Sequence, residues 1–222
     1  MKVWNERKIK VLELFAGSRS FSNLAEELGF DTYCTDIQPF DGIDQVCNIF
    51  DFDQNKIPFK PDIVWASIPC TTFSVASISA HWTGGKKAYI PKTDKAIEGL
   101  QIVKKTLSII KSINPIHYYI ENPRGILRKM PFMEELPRQT VTYCSYGDTR
   151  MKPTDIWTDD DYWTPRKMCH NGNRDCHHEP APRGSRTGTQ GLANNYERSK
   201  IPQELCREIL NTLKIRRHYN GI

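Results

Sequence analysis

Cys70 stands in the run DIVWASIPCTTFS, directly after apolar and β-branched residues that read as a buried strand. Reactive groups of open α/β sheets gather at the carboxyl ends of strands, so this thiol is a candidate nucleophile. By itself it would pass for a small buried hydrophobe. Two other strand-like runs also end in residues able to do chemistry: VLELFAGSRSFS upstream, and YYIENPRG downstream, which carries Glu121. In the first, Phe15, Ala16, Gly17, Ser18 and Arg19 make a turn between a strand and a helix, where unbonded N–H groups and the helix dipole favour a negatively charged group. Asp36, closing the second strand, is placed to accept hydrogen bonds from ribose hydroxyls. A dinucleotide fold would share these features. The full G-x-G-x-x-G fingerprint is missing, because Gly17 is followed by Ser18 and Arg19, so adenosine without a pyrophosphate fits better.

The elements that must hold these residues follow from the apolar pattern. Residues 9–15, 32–35, 45–47 and 62–66 read as the first four strands, with an amphipathic helix over 20–28 that ends at Gly29. Ile97, Leu100, Val103, Leu107 and Ile110 give one apolar helical face, stopped by Asn114-Pro115. Strands five to seven are expected at 116–120, 140–145 and 155–158, and Leu205, Ile209 and Leu213 mark a last helix opened by Ile201-Pro202. Alternating strands and helices predict an α/β fold with a mostly parallel seven-stranded sheet covered on both faces. The core spans 1–158, an irregular segment 159–192, and a helix in 193–222 returns to the core. The polar stretch 71–93 reads as a closing loop, with Ser74, Ser77, Ser79, Lys86 and Lys87 available to phosphates.

The 222 residues, 38% hydrophobic and 26% charged, make up one substantial core rather than a disordered or membrane chain. No run reaches the roughly 18 apolar residues of a membrane span, and residues 1–15 lack the apolar stretch and cleavage site of a signal peptide, so the expected location is the cytoplasm. Seven cysteines, an odd number, argue for reduced thiols used singly or as metal ligands. A net charge of +5 fits a nucleic-acid partner, with Lys and Arg gathered at 86–105, 124–129 and 183–186.

With Pro69-Cys70 after the fourth strand and Glu121-Asn122-Pro123 at the fifth, the chain resembles the cytosine 5-methyltransferases that act on DNA, in particular the compact members from phages and prophages. The resemblance implies a Rossmann-like S-adenosylmethionine-dependent methyltransferase fold, with S-adenosylhomocysteine as product. It implies that Cys70 adds to the ring of a cytosine flipped out of duplex DNA, while Glu121 holds the base. Asp148-Thr149-Arg150-Met151-Lys152 looks like the family's Gln-x-Arg-x-Arg motif, so Arg150 and Lys152 would hold the base oxygen. Asp148 and Lys152 depart from that pattern. The cofactor site would extend to Ile37, Asn48, Ile49 and Pro69, with Asn48 where an acidic residue is frequent. Ile201-Pro202 resembles the last motif, and the segment before it would read the target sequence with Arg166, Arg174, Arg183 and Arg186. A monomer is the default expectation. The same chemistry on RNA, or an inactive nucleic-acid-binding protein of this fold, are the other readings; Cys70 and Glu121 together speak against the second.

The irregular segment also carries thiols and imidazoles in a weakly apolar setting, which suits a tetrahedral zinc ion standing in for a core. The expected set is Cys144, Cys169, Cys176 and His177, with His170 or His178 as the substitute.

Overall fold

The computed structural model describes residues 8–85, 88–179 and 195–220. Lys86, Lys87, Arg183 and Arg186, expected to meet the nucleic acid, lie outside these residues. The sheet is built outward from β1 (Lys10–Leu14), whose Val11, Leu12 and Leu14 are wholly buried because both of its faces are covered. β1 pairs in parallel with β2 (Asp31–Asp36) on one side and β4 (Ile63–Ser67) on the other, Val11 facing Thr32 and Ile63. β3 (Gln45–Val46) extends the sheet beyond β2, and β5 (His117–Pro123) lies beyond β4 with Glu121 opposite Ser67. β7 (Pro153–Thr158) pairs antiparallel with both β5 and the edge strand β6 (Arg138–Thr142). The order is therefore β3-β2-β1-β4-β5-β7-β6, with β7 the reversed strand. This is the mostly parallel, seven-stranded, Rossmann-like sheet expected from the sequence. The chain winds one way from β1 to β3 and the other way from β4 onward, which opens a crevice at the carboxyl ends of β1 and β4.

Two apolar layers hold the sheet. On one face α2 (Asp94–Ile113) packs Val103, Ile109, Ile110 and Ile113 near Leu12, Val64 and Ile120. On the other, α1 (Ser20–Glu27) and α3 (Gln203–Asn220) bring Phe21, Leu24, Leu205 and Ile209 to Trp65 and Tyr119. The Phe21 and Trp65 rings stack at 4.5 Å, and each fully buried side chain of this size contributes about 1.5–3 kcal/mol. Helix α2 starts where Thr93 Oγ1 accepts the Ala96 N–H and ends where Asn114 turns left-handed, φ 49°. Its buried stripe is rotated from the expected one: Ile97 is exposed, and Ala96 and Thr106 are inside.

Three further expectations are corrected. Strand β5 runs on through Glu121, Asn122 and Pro123, so Glu121 belongs to the strand. β6 stops at Thr142, and Tyr143–Tyr146 form a 3-10 turn. The stretch 71–93 is not a loose loop: it contains a helical turn, Ile78–His81, and a small ribbon pairing Trp82–Thr83 with Ile90–Pro91. Its Phe73 and Trp82 are buried with rings 5.8 Å apart, and Trp82 Nε1 donates to the Thr72 carbonyl at 2.7 Å. Ser74 and Ser77, expected to meet phosphate, bond each other at 3.1 Å. The described part of the next segment, 159–179, has no helix or strand. No helix among the described residues is long and apolar enough to cross a membrane.

Candidate active site

The turn after β1 is strained. Phe15, Gly17 and Arg19 all have positive φ, at 58°, 49° and 54°, and each non-glycine residue there costs roughly 1–3 kcal/mol. The surroundings over-determine it. Ala16 N–H donates to Thr35 O at 3.0 Å, Gly17 N–H to Asp36 Oδ2 at 2.9 Å, and Arg19 N–H to Ala16 O at 2.7 Å. From below, the buried Glu13 accepts the Ser22 N–H at 2.8 Å and the Phe21 N–H at 3.4 Å, securing the start of α1. Burial raises the Glu13 carboxyl from an ordinary 4.5 to about 7. No motif marks Glu13, although a lone carboxyl inside an apolar strand is a usable signal.

Asp36 also accepts the Gln38 N–H at 2.9 Å, and next to it Ile37 is 59% exposed. A carboxylate able to accept from ribose hydroxyls, beside an exposed apolar side chain at a switch point, fits a ribose and a purine. Four expected contributors to this site do other work. The Arg19 guanidinium pairs with Glu26 and donates to Cys34 Sγ, on the flank of α1. Asn48 Oδ1 accepts the Phe50 N–H at 3.1 Å, capping the turn Ile49–Asp51, and Ile49 is buried in the core. Ser18 Oγ lies 2.7 Å from Ser20 Oγ, which in turn accepts the Ile201 N–H.

The second half of the site lies at the ends of β4 and β5. Ile68 N–H donates to Glu121 O at 3.3 Å and Asn122 Nδ2 to Ile68 O at 2.8 Å, so the segment leading to exposed Pro69 and half-buried Cys70 is tied to the strand that carries Glu121. The Cys70 carbonyl accepts the N–H groups of Phe73 and Ser74, forming a tight turn. Ile126 N–H donates to Phe73 O, and a Cβ on Gly125 would stand 2.1 Å from that oxygen, so the close approach requires glycine. The structure thereby holds Cys70 against the β5 end.

Glu121 is buried and accepts from the Tyr143 hydroxyl at 2.9 Å, with Lys152 Nζ 3.8 Å away. Burial pushes its carboxyl above the ordinary range, opposed by the Lys152 charge and the Tyr143 bond. Burial also pushes the Cys70 thiol up, and Lys152 again opposes it. Lys152 sits over the Tyr143 ring, 4.6 Å from its centre. Tyr143, in an aromatic-rich run with no distinguishing spacing, was invisible as a site residue.

Arg150 also lies over the Tyr143 ring, 5.5 Å from its centre, but its hydrogen bonds go elsewhere. Its guanidinium pairs with Asp148 and donates to the carbonyls of Glu197, Arg198 and Lys200. All five of its donors are thereby engaged. Arg150 clamps the segment before α3, and Lys152 is left as the cation beside Glu121.

The cysteine and histidine cluster forms, with one exchange. Cys144, Cys169, Cys176 and His178 have ligand atoms within 4.8 Å of one another. His177, the expected fourth member, instead donates from Nε2 to the Asp148 carbonyl at 3.0 Å, and His170 is exposed.

No family model matches the chain. A probable DNA (cytosine-5)-methyltransferase of frog virus 3 (isolate Goorha) is 27% identical over 215 residues, covering 91% of this chain and 99% of the viral protein. Among solved structures, a DNMT2 mutant from Spodoptera frugiperda is similar at 16% identity and a TM-score of 0.44, over 72% of this chain and 54% of that one. The methyltransferase EhMeth of Entamoeba histolytica is similar at 14% identity and a TM-score of 0.49, over 73% and 57%. The chain thus spans somewhat over half the length of those two proteins and nearly all of its viral relative. The resemblance to cytosine 5-methyltransferases carried by the motifs is borne out by the viral likeness.

Proposed function

We propose that this chain transfers a methyl group from S-adenosylmethionine to carbon 5 of cytosine in DNA, through a covalent adduct with Cys70. The observation that carries the reading is the joining of Cys70 and Glu121 at the ends of adjacent parallel strands, with the Lys152 ammonium 3.8 Å from the Glu121 carboxyl. The likeness to a viral protein described as acting on DNA supports DNA as substrate.

S-adenosylmethionine, when bound, supplies an electrophilic methyl group. The turn 15–18, the Asp36 carboxylate and exposed Ile37 are the groups suited to hold its adenosine. Carbon 5 of cytosine is a weak nucleophile. Addition of the Cys70 thiolate to carbon 6 makes the ring enamine-like and carbon 5 reactive. The negative charge that then builds on the ring is offset by a proton donated from Glu121 to the ring nitrogen, while the same carboxyl accepts from the exocyclic amine. Glu121 must carry a proton to do so, and its burial favours that state. Lys152 favours the Cys70 thiolate against the burial that disfavours it. Loss of the carbon 5 proton and departure of the Cys70 sulfur restore the aromatic ring. The base must leave the stack to reach the strand ends, at a cost of a few kcal/mol.

The test is nucleoside mass spectrometry on DNA from a host without its own cytosine methylation, expressing the wild type or Cys70→Ala. The proposal expects 5-methylcytosine with the wild type only. Methylation that survives Cys70→Ala overturns the adduct, and 5-methylcytosine confined to the RNA overturns DNA as substrate.

A further inference from the structure

Beyond the crevice, the described residues hold a cluster whose chemistry the reaction above does not use. Between Thr164 and His177 the chain forms no helix or strand and buries no side chain. A stretch of this kind has too little apolar burial to offset the entropy of ordering it. Yet it lies folded against the end of β6. Cys169 N–H donates to Thr142 Oγ1 at 2.9 Å, and Ser145 Oγ to the Lys167 carbonyl at 2.9 Å.

At the centre of this contact three thiols and one imidazole converge. Cys144 comes from the turn after β6 and is 3% exposed; His178 is 5% exposed; Cys169 and Cys176 are half-buried. Their ligand atoms lie within 4.8 Å of one another, and none of the thiols is in a disulfide. The Cys169 sulfur is 3.7 Å from His178 Nδ1. A tetrahedral Zn²⁺ with bonds of about 2.3 Å to sulfur and about 2.0 Å to nitrogen separates its ligands by roughly 3.5–3.8 Å. The supporting contacts are also those of a metal knuckle. Asn173 Nδ2 donates to the Cys169 sulfur at 3.5 Å, and Cys176 N–H donates to the Asn173 carbonyl, closing a turn between the two cysteines. His177, one position from His178, points elsewhere, onto the Asp148 carbonyl.

We propose that Cys144, Cys169, Cys176 and His178 bind one Zn²⁺, which fastens the irregular segment to the catalytic sheet. Three thiolates and a neutral imidazole select a borderline-soft ion with tetrahedral preference over calcium or magnesium. On binding, the three thiols release their protons to solvent and the imidazole coordinates through Nδ1. The ion has a second effect at a distance. Just past its ligands, Glu179 N–H donates to the Thr149 carbonyl at 2.9 Å and His177 to that of Asp148, so the knuckle braces the loop that leads to Arg150 and Lys152.

The test measures metal in full-length protein purified reduced and without chelator, by elemental analysis, with cobalt substitution to read thiolate ligation optically. One zinc per chain and cobalt–thiolate charge-transfer bands are expected. His178→Ala should weaken zinc by more than about a hundredfold, the most that loss of a supporting partner alone costs, whereas His177→Ala stays within about tenfold. Cys176→Ser should abolish the charge-transfer intensity of that ligand, and because this variant can misfold, the two histidine variants carry the decision. Wild type with all seven thiols reduced and less than about a tenth of a zinc overturns the proposal. So does a metal site lost in His177→Ala and kept in His178→Ala.

Discussion

Replacing Glu13 with glutamine tests how the strained turn is supported. Glu13 is buried under the start of α1, where it accepts two backbone N–H groups, and burial lifts its carboxyl from 4.5 to about 7. Below pH 4.5 the group is protonated in both folded and unfolded chains and its titration leaves stability unchanged. Between 4.5 and 7 the unfolded chain gives up this proton while the folded one keeps it, so folding loses free energy as pH rises. At about 1.4 kcal/mol per pH unit the full loss above pH 7 is about 3 kcal/mol, of which about 2.5 kcal/mol falls between pH 5 and pH 8. Glutamine cannot ionise, and its carbonyl can still accept the Ser22 N–H. Urea unfolding of wild type and Glu13→Gln, followed by tryptophan fluorescence across that range, cancels every other titrating group in the difference. The variant should gain on the wild type by about 2.5 kcal/mol from the acid to the alkaline end. Parallel curves, within about 0.5 kcal/mol at every pH, refute the argument that a buried, protonatable carboxyl secures α1.

Lys152→Met removes the charge that holds down both the Cys70 thiol and the Glu121 carboxyl. The whole pH profile of kcat/KM should move to higher pH, with Lys152→Arg restoring it; a profile that falls in height without moving refutes a charge role. Gly125→Ala puts a Cβ 2.1 Å from the Phe73 carbonyl oxygen and 3.4 Å from Ser74 Cα, and must part the Cys70 turn from β5. A loss of about 1–3 kcal/mol in unfolding free energy and at least about tenfold in methyl transfer is expected. Wild-type activity in that variant shows that the contact does not position the thiol.

The sheet was legible because its central strands are nearly continuous apolar runs, and a strand end fixes where the next residues stand. Cys70 and Glu121 were found that way. The motif position of Arg150 says nothing of the carbonyls contributed to it by Glu197, Arg198 and Lys200, far along the chain. The stretch 71–93 reads as polar in composition, yet two well-separated aromatics, Phe73 and Trp82, suffice to fold it without leaving a periodic trace. His177 and His178 are equivalent on paper. His178 is buried while His177 is exposed, and the hydrogen bond to Asp148 takes the latter out of reach. Asn48 and Ile49 followed a family position whose local turn here uses both, one as a cap and one in the core.

The segment ahead of α3 supplies three carbonyls to Arg150 and an N–H to Ser20, and Ser199 Oγ lies 3.7 Å from where a Cβ of Gly17 would stand. One short strap thus binds the strained turn near the start of the chain to the cation loop near its middle. During synthesis, the contacts that join those two parts form only after this strap has left the ribosome. A nascent chain halted before residue 195 would own every reactive side chain and still lack a finished site. Two separately expressed pieces, divided between residues 179 and 195, should regain methyl transfer only when mixed. That makes the strap a natural place to put the site under the control of a dimerising partner.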